Sequence, residues 1–163
     1  MKKYALTIAV VIVAAGLFIY VTKIDKKPDD KAKIGKSVIV NFDRKDAKAV
    51  DINIGGEVIA LAKNGKEWML TRPEPVRTNK PAVDNLLFIL SEYQADSLIE
   101  KDVPDIKKYG LDRPRAVVTV RLKSGGTREM IVGDKTPVED ASYVMVAGER
   151  KVYQVNEMNI EPF

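Results

Sequence analysis

The sequence predicts an α+β domain behind an N-terminal transmembrane helix: two antiparallel β-meanders packed with one amphipathic helix and a short second helix. Three observations carry this reading. Nineteen consecutive uncharged residues lie near the start of the chain, two sets of short β-rich runs are punctuated by glycine turns, and one stretch between those sets has helical apolar spacing. Sheets with one apolar face need a covering layer, and the helical stretch can supply it.

The uncharged run, Tyr4 to Thr22 (YALTIAVVIVAAGLFIYVT), lies between Lys2-Lys3 and Lys23. As a helix it would reach roughly 28 Å, about one hydrocarbon core. A buried soluble helix would be shorter and carry a polar stripe, whereas only Thr7 and the end residues Tyr4, Tyr20 and Thr22 are polar here. A cleaved signal peptide is the stronger alternative, with Lys2-Lys3 as its basic end and Ala14-Ala15-Gly16 as small residues for a peptidase. The run exceeds the ~7–15 apolar residues of such a peptide. Cleavage after Gly16 would also strand Leu17 to Val21 at the new terminus, and with no cysteine the chain has no lipid-attachment site. The expected partner is therefore the lipid bilayer, spanned once through Tyr4 to Thr22. The small-residue spacing Ala5-x-x-x-Ala9 would let two such helices approach closely, which leaves a homo-oligomer open. Lysines flank both ends, and the positive-inside rule is calibrated on short loops, so the residues alone do not fix the side on which the domain lies.

Three segments follow from composition: the anchor at 1–22, a charged linker at 23–36 and a domain at 37–163. The linker (KIDKKPDDKAKIGK) has nine charges in fourteen residues and no apolar period, so it reads as a solvated spacer reaching up to ~45 Å. Contact with lipid headgroups is its alternative role. Basic character is concentrated here: residues 23–48 carry nine Lys or Arg against five Asp, while 49–163 carry sixteen basic against eighteen acidic residues. The pI near 9 is thus a property of the stalk. It does not indicate a nucleic-acid partner.

Within the domain, Val38 to Phe42 and Val50 to Ile54 are short β-rich runs. Val58 to Ala62 follows after Gly55-Gly56, and Glu67 to Thr71 after Lys63-Asn64-Gly65-Lys66, which is the sharpest hairpin signal in the chain. The Pro-rich turn Arg72-Pro73-Glu74-Pro75 closes this meander. Asn79 then caps a helix with Pro81 in its first turn, and Val83, Leu86, Leu87, Leu90 and Tyr93 recur at helical spacing. Asp96 to Glu100 reads as a short strand and Pro104 to Tyr109 as a short helix, with Gly110 at the left-handed cap and Leu111 placed for the accompanying hydrophobic contact. The second meander comprises Ala116 to Leu122, the turn Lys123-Ser124-Gly125-Gly126, Thr127 to Val132, Ser142 to Val146 and Lys151 to Val155. Val118, Val120 and Leu122 alternate with Thr119 and Arg121, as expected of a sheet with one face buried and the other mostly wet.

The chemistry is bounded mainly by what is missing. With no histidine and no cysteine, Ser-His-Asp and Cys-His mechanisms, thiol redox chemistry and ordinary zinc sites are closed to the chain. No Ser-x-x-Lys, Gly-x-Gly-x-x-Gly or Walker A pattern occurs. Glu100, Asp102, Asp105, Asp112, Asp134, Glu139 and Asp140 could supply a general acid and base, but they read more simply as solvated turn and cap residues. Glu139-Asp140 lacks the EF-hand ligand pattern. No catalytic, cofactor-binding or metal residue is assigned, and no cofactor is expected. Trp68 alternates with Leu70 and reads as core before it reads as a sugar platform. Tyr109 beside a glycine cap reads as helix-end packing, and Gly133-Asp134 with Thr136-Pro137 as a turn.

Several segments follow one another in a characteristic order: Trp68-Met69-Leu70, Pro73 with the Asn79-to-Tyr93 helix, and Tyr109-Gly110-Leu111-Asp112-Arg113-Pro114. Ile131-Val132-Gly133-Asp134-Lys135-Thr136-Pro137, Tyr143-Val144 and Val152-Tyr153-Gln154-Val155 complete the series. In this the chain resembles the bacterial domain-of-unknown-function family 4340 from about Val38 to Val155, the Tyr-Gly-Leu-Asp-x-Pro segment being the most distinctive piece. The resemblance implies a single-pass protein of the bacterial inner membrane with its domain in the periplasm. It also implies an integral membrane partner, since relatives are often encoded beside ABC-type transport or gliding-motility-type components. The family has no established catalytic motif, and longer relatives would be expected to continue beyond Asn156 to Phe163. The expected role is a non-enzymatic accessory protein. A glycan- or peptide-binding module is the first alternative and a carboxylate-dependent hydrolase the second.

Overall fold

The computed structural model describes residues 36–161. The anchor Tyr4 to Thr22 and nearly all of the linker lie outside the described residues. Among those described, no helix is long and apolar enough to cross a membrane.

Among the described residues eleven strands and one α-helix follow in order: β1 (Ser37–Asn41), β2 (Ala47–Ile54), β3 (Glu57–Asn64), β4 (Glu67–Arg72), β5 (Val76–Arg77), α1 (Lys80–Ser91), β6 (Glu92–Ala95), β7 (Ser97–Lys101), β8 (Ala116–Leu122), β9 (Thr127–Lys135), β10 (Ala141–Val146) and β11 (Lys151–Asn156). The fold is thus predominantly β. Both expected meanders form, β2 to β5 and β8 to β11, but they are not separate sheets. β2 pairs antiparallel with β8 along Val50↔Val120 and Ile52↔Val118, giving one nine-stranded sheet in the order β5-β4-β3-β2-β8-β9-β10-β11-β7. β1 and β6 form a separate antiparallel ribbon.

The glycine turns behave as their chemistry requires. Gly55 and Gly56 both have positive φ, 58° and 96°, and make the two-residue loop between Ile54 and Glu57. In the next hairpin Asn64 pairs with Glu67, so the loop is Gly65-Lys66, with φ 62° at the glycine.

Two corrections concern the helices. α1 starts after Asn79 with Pro in its first turn, as expected, but the Asn79 side chain makes no capping bond and the helix ends at Ser91. Tyr93 belongs instead to β6, opposite Val40. The second helix shrinks to one 3-10 turn, Ile106–Tyr109, because the Asp105 side chain caps its start through Lys107 N–H and Gly110 stops it four residues later. In that stop, Gly110 N–H bonds the Lys107 carbonyl at 3.0 Å and Leu111 N–H the Ile106 carbonyl at 3.2 Å, the Schellman pattern.

The main core lies on one face of the sheet. Val50, Ile52, Val118, Val120, Met130, Val132 and Val144 are cross-strand neighbours there, covered by Val83, Leu87 and Leu90 of α1 and by Val40, Tyr93 and Ala95 of the ribbon. A smaller cluster covers part of the opposite face: Val103, Tyr109, Leu111 and Val152, with Ile131, Tyr143 and Met145 packed against them.

Candidate functional site

Two of the segments that carry the family resemblance, Tyr109-Gly110-Leu111-Asp112 and Val132-Gly133-Asp134-Lys135, meet on the face of the sheet opposite α1. A β-carbon on Gly133 would strike the Tyr109 carbonyl oxygen and lie 3.1 Å from the Leu111 side chain. One on Gly110 would fall on the Asp134 carboxylate, and Gly110 also needs φ 66°. Each segment contributes the glycine that admits the other.

Tyr109 anchors this contact. Its ring meets Tyr143 edge-on at 4.8 Å between centroids, and its hydroxyl donates to the Glu100 carboxylate of β7. Lys108 Nζ lies 2.6 Å from the same Glu100 oxygen and 4.8 Å from the Tyr109 ring centroid. The Lys108 ammonium, and after it the Tyr109 hydroxyl, hold the Glu100 carboxyl below the usual carboxylate range. Glu100 in turn raises Lys108, while burial first and the Glu100 bond second raise the Tyr109 phenol. All three groups are pushed towards the protonation state they already have at neutral pH. That suits a clamp better than a proton-transfer site.

The other candidate carboxylates are dispersed over exposed positions. Asp105 caps the 3-10 turn, Asp134 lies over Gly110, and Asp102, Asp112 and Glu139 occupy exposed loop positions. Asp140 accepts a hydrogen bond from Thr136 Oγ1 at 3.3 Å. None of the seven lines any of three clefts among the described residues, formed by 36, 88–89, 92–94, 96 and 159; by 39, 41, 127–129 and 146–149; and by 66–68, 77–78 and 80. Among the described residues no group of three His, Cys, Asp or Glu is placed to hold a metal ion.

Sequence reasoning missed a polar assembly at the end of the sheet. Ser142, fully buried on β10, accepts a hydrogen bond from Arg115 Nη2 and donates to Glu157. Arg115 also reaches Glu157 at 3.0 Å and the Gly133 carbonyl at 2.9 Å. Asp96 accepts the Asn156 N–H at 2.7 Å and the Tyr93 hydroxyl donates to the Asn159 carbonyl at 3.0 Å, so the segment after β11 is tied to the sheet from both sides. Arg115 and Glu157 are 42 residues apart, and no local spacing relates them.

Among the described residues the aromatic side chains that a glycan platform would need are mostly interior. Trp68, Tyr93, Tyr109 and Tyr153 are buried and Tyr143 is half-buried; Phe88, 56% exposed, stands outside with Arg44 over its ring at 5.3 Å.

A family description reading "Domain of unknown function (DUF4340)" matches residues 68–163. The match begins later than the expected resemblance and runs past Val155 to the last residue. No curated protein and no solved structure gives a match. With well over half of its 163 residues matched, including both interlocked glycine segments, the chain belongs to the DUF4340 family.

Proposed function

We propose that the protein is a membrane-anchored, non-enzymatic accessory component that docks on a bacterial envelope or ABC-type transport machine. Its domain is held in the periplasm by the Tyr4 to Thr22 anchor. The observation that carries this reading is the interlock of Tyr109, Gly110, Leu111, Gly133 and Asp134: the segment that carries the family resemblance most clearly is engaged with β9, as in a scaffold, and not gathered around a cleft. A docking role also fits the surface. Val138 and Met158, at 78% and 74% the most exposed large apolar side chains among the described residues, sit on adjoining turns joined by a hydrogen bond from Glu157 N–H to the Asp140 carbonyl. Apolar side chains on neighbouring turns offer a contact tip of the kind buried at the centre of protein interfaces.

Affinity purification of the full-length chain from membranes in gentle detergent tests the proposal. Integral membrane proteins should co-purify, and Val138→Asp with Met158→Asp should reduce their recovery at least several-fold. Recovery of the protein alone would overturn the docking role. Protection of the domain from protease in intact spheroplasts would overturn the periplasmic placement.

A further inference from the structure

The cleft formed by Lys66, Glu67, Trp68, Arg77, Thr78 and Lys80 has a volume of about 260 Å³ and lies at the β5 edge of the sheet. Four elements build it: the Gly65-Lys66 hairpin loop, the start of β4 with Glu67 and Trp68, the short strand β5 with the Thr78 that follows it, and the first residue of α1. Residues 63–80 carry five basic and two acidic side chains, net +3, whereas residues 49–163 as a whole are net −2. The positive charge is therefore local to this end of the domain. Among the described residues Lys66 and Arg77 form no ion pair or side-chain hydrogen bond, and Lys80 pairs only with exposed Asp84 one helical turn on. Trp68, only 9% exposed, lines the cleft, and its indole N–H has no hydrogen-bond partner among the described residues. Thr78 Oγ1 bonds the Trp68 carbonyl at 2.6 Å and fixes one wall against the other. Asn79 makes no side-chain cap bond, so the first-turn N–H groups of α1 keep donor capacity beside the cleft.

We infer that this cleft binds a phosphate-type anionic group, with Arg77 and Lys66 as the charged partners and the Trp68 indole N–H as a neutral donor. Guanidinium and ammonium groups without internal partners, lining one cleft with an unpaired indole N–H, match the acceptor oxygens of such a group and outnumber the single Glu67 carboxylate there. The site is independent of the docking role proposed above. Two sources share the chemistry, a phospholipid headgroup and a free phosphate.

Trp68 is the sole tryptophan of the chain, so its fluorescence reports on this cleft alone. Full-length protein in detergent micelles is titrated with inorganic phosphate at constant ionic strength, and reconstituted protein is compared in phosphatidylcholine and phosphatidylglycerol vesicles. A saturable change in Trp68 emission with phosphate identifies a free anion as sufficient. A shift in phosphatidylglycerol vesicles alone identifies the headgroup. Either response should weaken at least tenfold in Lys66→Ala/Arg77→Ala and persist in Lys107→Ala, a remote charge control. Lys66→Ala by itself, in an exposed loop, should weaken binding without altering the melting temperature, which separates loss of the site from loss of the fold. The inference is overturned if neither source moves the emission, or if the response survives removal of both cations.

Discussion

Gly133 and Gly110 exclude a side chain for different reasons, and the difference sets their tolerance to change. At Gly133 the obstacle is the Tyr109 carbonyl, which is backbone, together with the Leu111 side chain. At Gly110 the obstacle is the end of the Asp134 side chain, which can swing away, plus the strain of a left-handed conformation. Gly133→Ala should therefore be the more damaging, costing upwards of about 3 kcal/mol, against about 1–2 kcal/mol for Gly110→Ala. Urea denaturation of the two variants would rank them, and the reverse order would show that the strands can part more easily than the packing indicates. The left-handed role of Gly110 was legible because a glycine followed by Leu111 marks a helix stop. Gly133 was not, because its requirement comes from a carbonyl 24 residues away; it read as an ordinary turn residue. The Arg115, Ser142 and Glu157 contact escaped for the same reason, each member being unremarkable in its own neighbourhood.

Among the elements, α1 shows how a periodic signal can be right about burial and wrong about structure. Val83, Leu87 and Leu90 face the sheet as their spacing predicted. Tyr93 also points inward, at 2% exposure, but from β6, where Glu92 to Ala95 alternate exposed and buried. A period of 3.6 and a period of 2 place Tyr93 on the same side, and the open edge of β1 decides between them by offering hydrogen-bond partners. The short β5 was hidden by Pro73 and Pro75, whose missing N–H groups mark the segment as a turn. If α1 is held by its buried stripe, Leu87→Ala should cost about 2–5 kcal/mol and Phe88→Ala less than about 1 kcal/mol despite its larger ring. Thermal unfolding followed by circular dichroism would compare them, and equal losses would mean that Phe88 is covered in the intact protein.

For the molecule as a whole, three phenols couple stability to alkaline pH. Tyr93 is raised by burial, then by Asp96 and Glu157; Tyr109 by burial and Glu100; and Tyr153 is pushed up to about 12 by burial and its 3.0 Å bond to Glu149. Folded values above the unfolded value near 10 mean that the folded state holds the proton more tightly. This contribution is complete below pH 10 and is lost as pH rises towards 12 and beyond. Absorbance of tyrosinate from these three phenols should accordingly appear only as secondary structure is lost; a rise complete before unfolding would contradict the burial of these rings. The largest feature that the sequence concealed is the β2–β8 junction, since pairing between residues more than sixty apart leaves no periodic trace. That junction also bears on the matched segment. The match starts at Trp68, yet β2 and β3 lie between β4 and β8 in the sheet and precede it in the chain. The matched segment therefore begins partway across a continuous sheet. Isolated from what precedes it, β8 would present a bare row of backbone donors and acceptors flanked by Val118 and Val120, an adhesive edge that invites pairing between molecules. The segment that the family description matches is smaller than the sheet it belongs to.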